Sequence, residues 1–332
     1  MIIDAHTHMI HEKTVEQLVA LGGSEIKERL KHIQELGHKR PVAVNVAARV
    51  AQIKRNNYDH QLATPQMDAN PFDVDKETKL KIARLINDGM AKITEESKGV
   101  ILSAASIPLD LLDSGGLKEM DRAVKTLGIK AIGVMSHIRG KPLDSPQFLP
   151  FWARAVELDV PVYIHPIDPF SSAGRTYEKD FDLTHNFGWP FETVLALARL
   201  VFSGIMEKHP KLKVVSHHLG GGLIPFMMGR TTETYENERQ QEMIGKTLKK
   251  PLIEYFKLFY YDTAVGGHPP AIRCAIDTFG IDQIVFATDA PWGPKGGEVR
   301  LQQYPGIVKS LGLPAKDYEK IMSGNARRLL KV

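Results

Sequence analysis

Short apolar runs rich in β-branched residues alternate along the chain with longer segments whose apolar residues recur every three or four positions. The runs are typical of buried strands, and the longer segments are typical of amphipathic helices. This alternation predicts repeated βα units and a parallel sheet, and the number of runs matches an α/β fold of the (β/α)₈ TIM-barrel type. The predicted strands are 2–5, 61–64, 99–103, 130–135, 161–164, 213–216, 259–261 and 283–287, and the predicted helices are 75–97, 116–127, 147–158, 191–208 and 270–279.

Two stretches depart from this rhythm. Residues 11–58 are too long for a βα connection and include the charged segment SEIKERLKHIQEL, so we expect an insertion after the first strand that covers the barrel mouth. The polar segment RTTETYENERQQEMIGKTLKKP is expected to be a solvated helix rather than a binding module. No linker interrupts the pattern, so residues 1–332 are expected to form a single domain.

Composition narrows the classes of protein that fit. Lys and Arg number 43 against 39 Asp and Glu, and the basic residues are scattered, which argues against a nucleic-acid surface. No apolar run approaches the roughly 18 residues of a membrane span, and the N-terminus does not resemble a signal peptide. We therefore expect a cytoplasmic protein without nucleic-acid or membrane partners. The single cysteine, Cys274, is expected to be a buried thiol without a role.

Candidate chemistry lies where the predicted strands end, because TIM barrels carry their sites at the carboxyl ends of the strands. The opening MIIDAHTHM ends in His6 and His8, whose spacing places both imidazoles on one face of a strand. VPVYIHP ends in His165 and IVFATDAP in Asp289. A lone strand-end histidine is more often structural, but a desolvated pair needs an ion. Three imidazoles and a carboxylate suit one divalent transition ion such as Zn²⁺.

The sixth run ends in VVSHHLGGG, which offers two adjacent histidines. Neighbours on a strand face opposite ways, so we expect only one of them at the site. We choose His218 as a general acid or base, with a structural role as the alternative. A lysine that bridges two ions would have to lie at the carboxyl end of the fourth strand. The only lysine of the fourth run, Lys130, lies at its beginning, so it cannot bridge two ions. One metal ion is therefore expected.

The motifs DAHTH, YIHP, KHPKLKVVSHHLGGGLIPFMMGR, FYYDTAV and FATDAPWG occur in this order. Together they resemble the amidohydrolase-related decarboxylases, a family that includes aminocarboxymuconate-semialdehyde decarboxylase and γ-resorcylate decarboxylase. The similarity reaches the C-terminal SGNARRLLKV and leaves out residues 11–58. The resemblance implies metal binding by four residues, usually of Zn²⁺ and in some members of Mn²⁺, without an organic cofactor. These residues are His6, His8, His165 and Asp289.

The resemblance also implies roles in catalysis and substrate binding. His218 matches the catalytic histidine, and Asp289 is expected to serve catalysis as well as metal binding. Arg230 matches an arginine that reaches a substrate carboxylate, in some members across a dimer interface, and a surface ion pair is the alternative. Trp292 and Trp189 are expected to line the pocket, with plain packing as the alternative. Members of the family are commonly dimers or tetramers, so a homodimer or homotetramer is expected.

We therefore predict a metal-dependent decarboxylase that acts on a small aromatic or unsaturated carboxylic acid. Hydrolysis of a lactone, ester or amide, or hydration of a double bond, is the alternative for the same site. A barrel that has lost activity and only binds a partner is a third possibility. The insertion carries Arg49, Lys54 and Arg55, any of which could face an acid substrate, although none aligns with the arginine of the family.

Overall fold

The computed structural model describes residues 1–168, 180–237, 242 and 248–332. Within these residues, eight parallel strands pair in chain order around one sheet. Each lies at a position where the hydrophobic pattern predicts a strand. The strands are β1 (Ile3–Met9), β2 (His60–Pro65), β3 (Ile101–Ser106), β4 (Ala131–Met135), β5 (Val162–His165), β6 (Val214–Ser216), β7 (Tyr260–Asp262) and β8 (Ile284–Val285).

The sheet closes into a barrel through the segment that follows β8. The backbone N–H of Ala5 donates to the carbonyl of Phe286 at 2.8 Å, and that of Asp289 donates to the carbonyl of His6 at 2.9 Å. The N–H of His8 then donates to the carbonyl of Ala290 at 2.7 Å. The predicted (β/α)₈ barrel is thereby confirmed, and closure brings residue 289 next to the end of β1.

The helices surround the strands. The prediction of one helix over 191–208 is wrong, since the chain turns at Gly204, whose φ of 81° is left-handed, and two helices result. The helices are α1 (Glu12–Leu21), α2 (Ser24–Lys39), α3 (Val46–Arg55), α4 (Lys76–Glu96), α5 (Gly116–Asp121), α6 (Leu149–Glu157), α7 (Trp189–Phe202), α8 (Ile205–Lys208), α9 (His218–Gly221), α10 (Leu223–Glu236), α11 (Leu252–Phe256), α12 (Pro269–Phe279), α13 (Glu298–Ser310), α14 (Ala315–Glu319) and α15 (Asn325–Leu330).

Side chains fill the barrel interior at the amino-terminal ends of the strands. Side chains from the strands, among them Ile3, Tyr163 and Val215, pack with Leu329 and Leu330 of α15 into one buried cluster. The last helix thus closes the amino-terminal end of the barrel. Any open space inside must therefore lie toward the carboxyl ends of the strands.

The insertion after β1 forms α1, α2 and α3 and is fastened to the loop that follows β8. Arg49 is buried and donates to the carbonyl of Ala290 at 3.1 Å, and Arg40 donates to the carbonyl of Pro291 at 2.9 Å. Glu298 accepts hydrogen bonds from Gln52 and Arg55 of α3 and from Asn56, which follows the helix. The insertion thereby supports the loop that carries residue 289.

Two further predictions concern the outer parts of the chain. The polar segment 230–251 is helical as far as Glu236 in α10, and most of its remainder lies outside the described residues. In the part of the chain that the structure describes, every helix is too short or too polar to cross a membrane.

Candidate metal centre

The two histidines of β1 face the barrel axis because the strand contains one extra residue. Ile3 and Ala5 both pack in the inner cluster, and strict alternation from them would turn His6 and His8 outward. The pairing of β1 with β2 slips between Asp4 and Thr7, where three steps along β1 match two along β2. This bulge changes the phase of the strand, and both imidazoles enter the site.

Oxygen acceptors fix the tautomers of two of the imidazoles. Nδ1 of His6 lies 2.7 Å from Oδ2 of Asp262, and Nδ1 of His165 lies 2.6 Å from the carbonyl of Pro166. A carboxylate or a carbonyl oxygen can only accept, so each Nδ1 carries the proton and donates it. In the neutral rings, Nε2 is therefore left with an unshared electron pair.

His8 reaches the same tautomer through a hydroxyl group. Its Nδ1 lies 3.0 Å from Oγ1 of Thr64, and that hydroxyl donates to the carbonyl of Thr7 at 3.0 Å. The hydroxyl proton is thereby engaged, so Oγ1 accepts the proton of Nδ1. Nε2 of His8 then also carries a free electron pair.

The free ring nitrogens converge with a carboxylate oxygen. Nε2 of His6 lies 3.0 Å from Nε2 of His8, and Oδ1 of Asp289 lies 3.5 Å and 3.2 Å from these two nitrogens. Oδ1 is buried and has no hydrogen-bond partner among the described residues. Ligands placed about 2.1 Å from one ion lie about 3.0–3.4 Å apart, so this spacing fits a shared cation.

His165 completes the same cluster. Its ring centroid lies 4.9 Å from that of His8, and its ligand atom lies within 4.8 Å of those of His6 and His218. With its proton on Nδ1, the ring offers Nε2 to the centre. The four residues that the sequence predicts as metal ligands are thus brought together at the ends of β1 and β5 and after β8.

The protonation states suit a cation. Burial lowers the pKa of His8 and brings that of His165 well below its usual value, so both rings are neutral and able to ligate. Burial acts in the same direction on His6, but Asp262 and other nearby carboxylates outweigh it and raise its pKa, so binding of an ion at Nε2 of His6 would have to displace a proton from the charged ring. Burial alone would raise the pKa of Asp289, but the surrounding histidines lower it and keep the carboxylate ionised.

The expectation that only one of the two adjacent histidines belongs to the site is wrong. His217 continues the alternation of β6 inward, and its ring stacks on that of His6 with centroids 3.4 Å apart. β6 ends at Ser216, and His218 has a left-handed φ of 54°, so alternation no longer governs it. The His218 ring therefore also reaches the site, with its centroid 5.6 Å from that of His165.

A cavity of about 760 Å³ opens above the cluster. Trp189 and Trp292 line it, together with His218, as the sequence predicts. Arg230 is exposed on α10 and is not among the described residues that line this cavity. The same holds for the basic residues of the insertion: Arg49 is buried against the loop after β8, Lys54 is exposed, and Arg55 binds Glu298.

Two residues at the site escape the sequence argument. Asp262 ends β7 and holds His6, and it could have been found by applying the strand-end rule to the seventh run as well. Arg300 lies in α13, lines the cavity and donates to Oδ2 of Asp289 at 2.9 Å. No periodicity or motif in the sequence marks Arg300, because the contact depends on the path of the loop after β8.

The family model described as amidohydrolase (Amidohydro_2) matches residues 3–332, and the chain belongs to this amidohydrolase family. The γ-resorcylate decarboxylase of Rhizobium sp. (strain MTP-10005) is 30% identical over 279 residues, which are 82% of this chain and 81% of the relative. The 2-amino-3-carboxymuconate-6-semialdehyde decarboxylase of Dictyostelium discoideum is 27% identical over 85% of this chain and 75% of the relative. The predicted resemblance to decarboxylases is confirmed.

Solved structures agree with the fold. A 2,6-dihydroxybenzoate decarboxylase from Rhizobium superposes with a TM-score of 0.81 at 25% identity and covers 99% of this chain and 98% of its own. A dihydroxybenzoic acid decarboxylase from Polaromonas sp. JS666, solved with manganese and 2-nitroresorcinol, gives a TM-score of 0.79 at 24% identity, with 99% and 96% covered. A more distant relative is the 2-keto-4-carboxy-3-hexenedioate hydratase of Sphingobium, 23% identical over 99% of this chain and 96% of the relative.

Proposed function

We propose that the protein is a metal-dependent decarboxylase that removes CO₂ from a small aromatic carboxylic acid. The observation that carries the proposal is the convergence of two ring nitrogens, Nε2 of His6 and Nε2 of His8, with a buried carboxylate oxygen that has no hydrogen-bond donor among the described residues, Oδ1 of Asp289, beside an open cavity. The decarboxylases among the relatives support the reaction, and the two tryptophans that line the cavity suit an aromatic ring.

The ion that these residues would hold is divalent, and we propose Mn²⁺ in preference to the Zn²⁺ predicted from the sequence. Nitrogen and oxygen ligands without thiolate accept either ion. The manganese in the structure of the decarboxylase from Polaromonas favours Mn²⁺. When bound, such an ion supplies positive charge that orients and polarises the acidic oxygens of a substrate.

His218 is the residue that we assign to proton transfer. Its Nδ1 donates to the carbonyl of Ala264 at 2.8 Å, which leaves Nε2 to exchange a proton with a molecule in the cavity. In the proposed reaction, Nε2 of His218 first takes a second ring proton from solvent while Nδ1 keeps its own, and Nε2 then gives this proton to the ring carbon that bears the carboxylate. The bond between that carbon and the carboxylate then breaks, its electron pair restores the aromatic ring, and CO₂ leaves. Solvent returns the proton to His218.

The direct test follows CO₂ release by the protein after metal removal and reloading with Mn²⁺ or Zn²⁺. The panel contains 2,6-dihydroxybenzoate, 5-carboxyvanillate and a muconate-type acid, each compared with a sample that lacks the ion. Release of CO₂ from an aromatic acid, dependent on the ion, supports the proposal. If the protein is folded and loaded with the ion but releases CO₂ from none of the acids, the proposal is contradicted.

Hydration is the second candidate function. The hydratase of Sphingobium matches this chain over nearly its whole length, which favours a reaction at a double bond of an unsaturated acid. Incubation with unsaturated dicarboxylic acids, followed by loss of their ultraviolet absorbance without CO₂ release, distinguishes hydration from decarboxylation.

The assembly and the location of the protein stay predictions. We propose a homodimer or homotetramer of single-domain subunits, in which the exposed Arg230 of α10 can act only by reaching the cavity of a neighbouring subunit. Light scattering of the purified protein checks the subunit count. If the protein is monomeric at assay concentrations while an Arg230→Gln variant still loses substrate affinity, an effect across subunits is excluded.

A further inference from the structure

We propose that Arg300 positions Asp289 within the metal centre and, with its remaining N–H groups, selects substrates that carry an anionic oxygen. This inference rests on the proposed function, which it extends by naming the group that recognises the acid. Arg300 would bind the acid from within its own subunit, where it lies in α13 next to the loop that carries Asp289, whereas Arg230 could do so only from a neighbouring subunit.

The two oxygens of Asp289 have different surroundings. Oδ2 accepts from Nη1 of Arg300 at 2.9 Å, while Oδ1 faces Nε2 of His8 at 3.2 Å and lacks a donor in the described part of the chain. Nη1 also lies 3.3 Å from the carbonyl of Thr288. Two acceptors on neighbouring residues hold this nitrogen in place, and its hydrogen bond to Oδ2 favours the orientation of the carboxylate in which Oδ1 is directed at the histidines.

The lining of the cavity carries few charged side chains. Among the described residues that line it, Arg300 is the only arginine or lysine, and Asp289 is the only carboxylate. Asp289 is already directed at the metal centre. A substrate carboxylate in the cavity therefore meets one permanent side-chain cation, that of Arg300, in addition to any bound ion.

Arg300 also has hydrogen-bond donors that the described residues leave free. Only Nη1 of Arg300 is engaged within the described residues, so Nε and Nη2 are available, and the side chain is 26% exposed. Nε and one Nη form the edge of a guanidinium that binds a carboxylate by two parallel hydrogen bonds. The same side chain can thus hold Asp289 at one nitrogen and receive a second carboxylate at this edge.

Gly293, in the loop after β8, leaves space for the side chain of Arg300. A Cβ atom on Gly293 would lie 2.6 Å from Nε and 3.0 Å from Cδ of Arg300. Gly293 also has a left-handed φ of 90°. Only glycine satisfies both demands, so the backbone of the loop is shaped to let the arginine lie against it.

The test uses two variants of the whole protein, Arg300→Lys and Arg300→Gln. Lysine keeps the charge but lacks the planar edge, and glutamine keeps some hydrogen bonding but lacks the charge. Arg154→Lys is the matched control, because Arg154 has the same 26% exposure and pairs with Asp121 on the outside of the barrel. Each protein is loaded with Mn²⁺, and its affinity for the ion is measured by competition with a chelator.

The second measurement is calorimetric binding of benzoate and of benzamide, which have similar shape but differ in charge. We expect benzoate to bind Arg300→Gln at least about tenfold more weakly than the unaltered protein, with a smaller loss for Arg300→Lys, while benzamide changes less than about twofold. We expect the affinity for Mn²⁺ to fall about 10–100-fold in Arg300→Gln, because an outer partner of a ligand is lost. Arg154→Lys is expected to change neither quantity.

Three results would contradict the proposal, two for the role in selection and one for the role in positioning. Benzoate affinity within about twofold of the unaltered protein in both variants, or binding of benzoate no tighter than that of benzamide to the unaltered protein, removes the role in selection. An unchanged Mn²⁺ affinity removes the role in positioning. Both measurements are of binding and need no turnover. If the protein decarboxylates none of the tested acids but still binds benzoate more tightly than benzamide through Arg300, the proposed reaction is contradicted and the role of Arg300 is not.

Discussion

Replacement of Asp262 by asparagine changes a buried carboxylate while leaving the shape of the side chain the same. Oδ2 accepts from Nδ1 of His6 at 2.7 Å, and Oδ1 accepts from the backbone N–H groups of His218 and Ala264, each at 2.9 Å. The residue is fully buried. An amide cannot satisfy both sides, because only its oxygen accepts and its nitrogen only donates.

Each orientation of the amide has a cost that the structure defines. If the oxygen stays on the two backbone groups, the NH₂ group faces Nδ1 of His6, and the ring must move its proton to Nε2. The electron pair of Nε2, which faces His8 and Asp289, is then protonated and cannot bind an ion. If the amide turns over, two buried backbone N–H groups lose their acceptor, at about 1–3 kcal/mol each.

We therefore expect Asp262→Asn to bind Mn²⁺ about 10–100-fold more weakly, since loss of an outer carboxylate partner typically has this effect, and this corresponds to about 1.4–2.7 kcal/mol. The metal-free protein is expected to lose at most a few kcal/mol of unfolding free energy, and only if the amide turns over. The first loss is measured by competition with a chromogenic chelator and the second by urea unfolding without metal.

Asp121→Asn is the control, because that carboxylate pairs with Arg154 on the outer surface and is 35% exposed. It is expected to leave the affinity for Mn²⁺ unchanged. If Asp262→Asn binds Mn²⁺ within about twofold of the unaltered protein and unfolds at the same urea concentration, the assignment of the His6 tautomer is refuted.

Three further predictions follow from the same geometry. His8→Ala should remove both the ion and the activity, whereas His218→Ala should keep the ion, measured by elemental analysis, and lose turnover. Hydrogen bonding and the charge of Arg55 hold the pKa of Glu298 down to about 2. A carboxylate whose pKa is lower in the folded protein stabilises the fold at pH values above its ordinary pKa. The unfolding free energy of Glu298→Gln should therefore be lower than that of the unaltered protein by about 1–2 kcal/mol at pH 7. This difference should shrink as the pH falls below about 4.5 and be largely lost near pH 2.

Each of these predictions has its own contrary result. Full metal content in His8→Ala means that the ring is not a ligand. Loss of the ion in His218→Ala means that the wrong histidine has been assigned to proton transfer. A difference between Glu298→Gln and the unaltered protein that stays constant from pH 7 to pH 3 means that ionisation of the carboxylate does not fasten the insertion.

The positions of the strands are predictable from the sequence because each buried strand is a short apolar run between polar turns. The predicted run 130–135, for example, becomes β4 at Ala131–Met135. Helix ends are less predictable, since the apolar period continues across Gly204, where only backbone geometry separates α7 from α8. Periodicity records which residues are buried and does not record where the chain turns.

The candidate site is predictable in its residue types and less so in its arrangement. The strand-end rule identifies His6, His8, His165 and Asp289, because a parallel barrel brings these ends to one face. It chooses His218 correctly but wrongly turns His217 away from the site, because it lets only one of two neighbours face the axis, and this alternation does not hold beyond Ser216, where β6 ends.

By itself, the sequence determined the barrel and many of the side chains that meet at its carboxyl end, since burial and strand spacing are local properties of the chain. Only the tertiary structure decided how they act together. The bulge between Asp4 and Thr7 turns the first two histidines inward, Asp262 sets the tautomer of one of them, and Arg300 holds the carboxylate of Asp289. The first two effects depend on the pairing or contact of residues far apart in the chain, and the third depends on the path of the loop after β8, so all three exist only once the chain has folded.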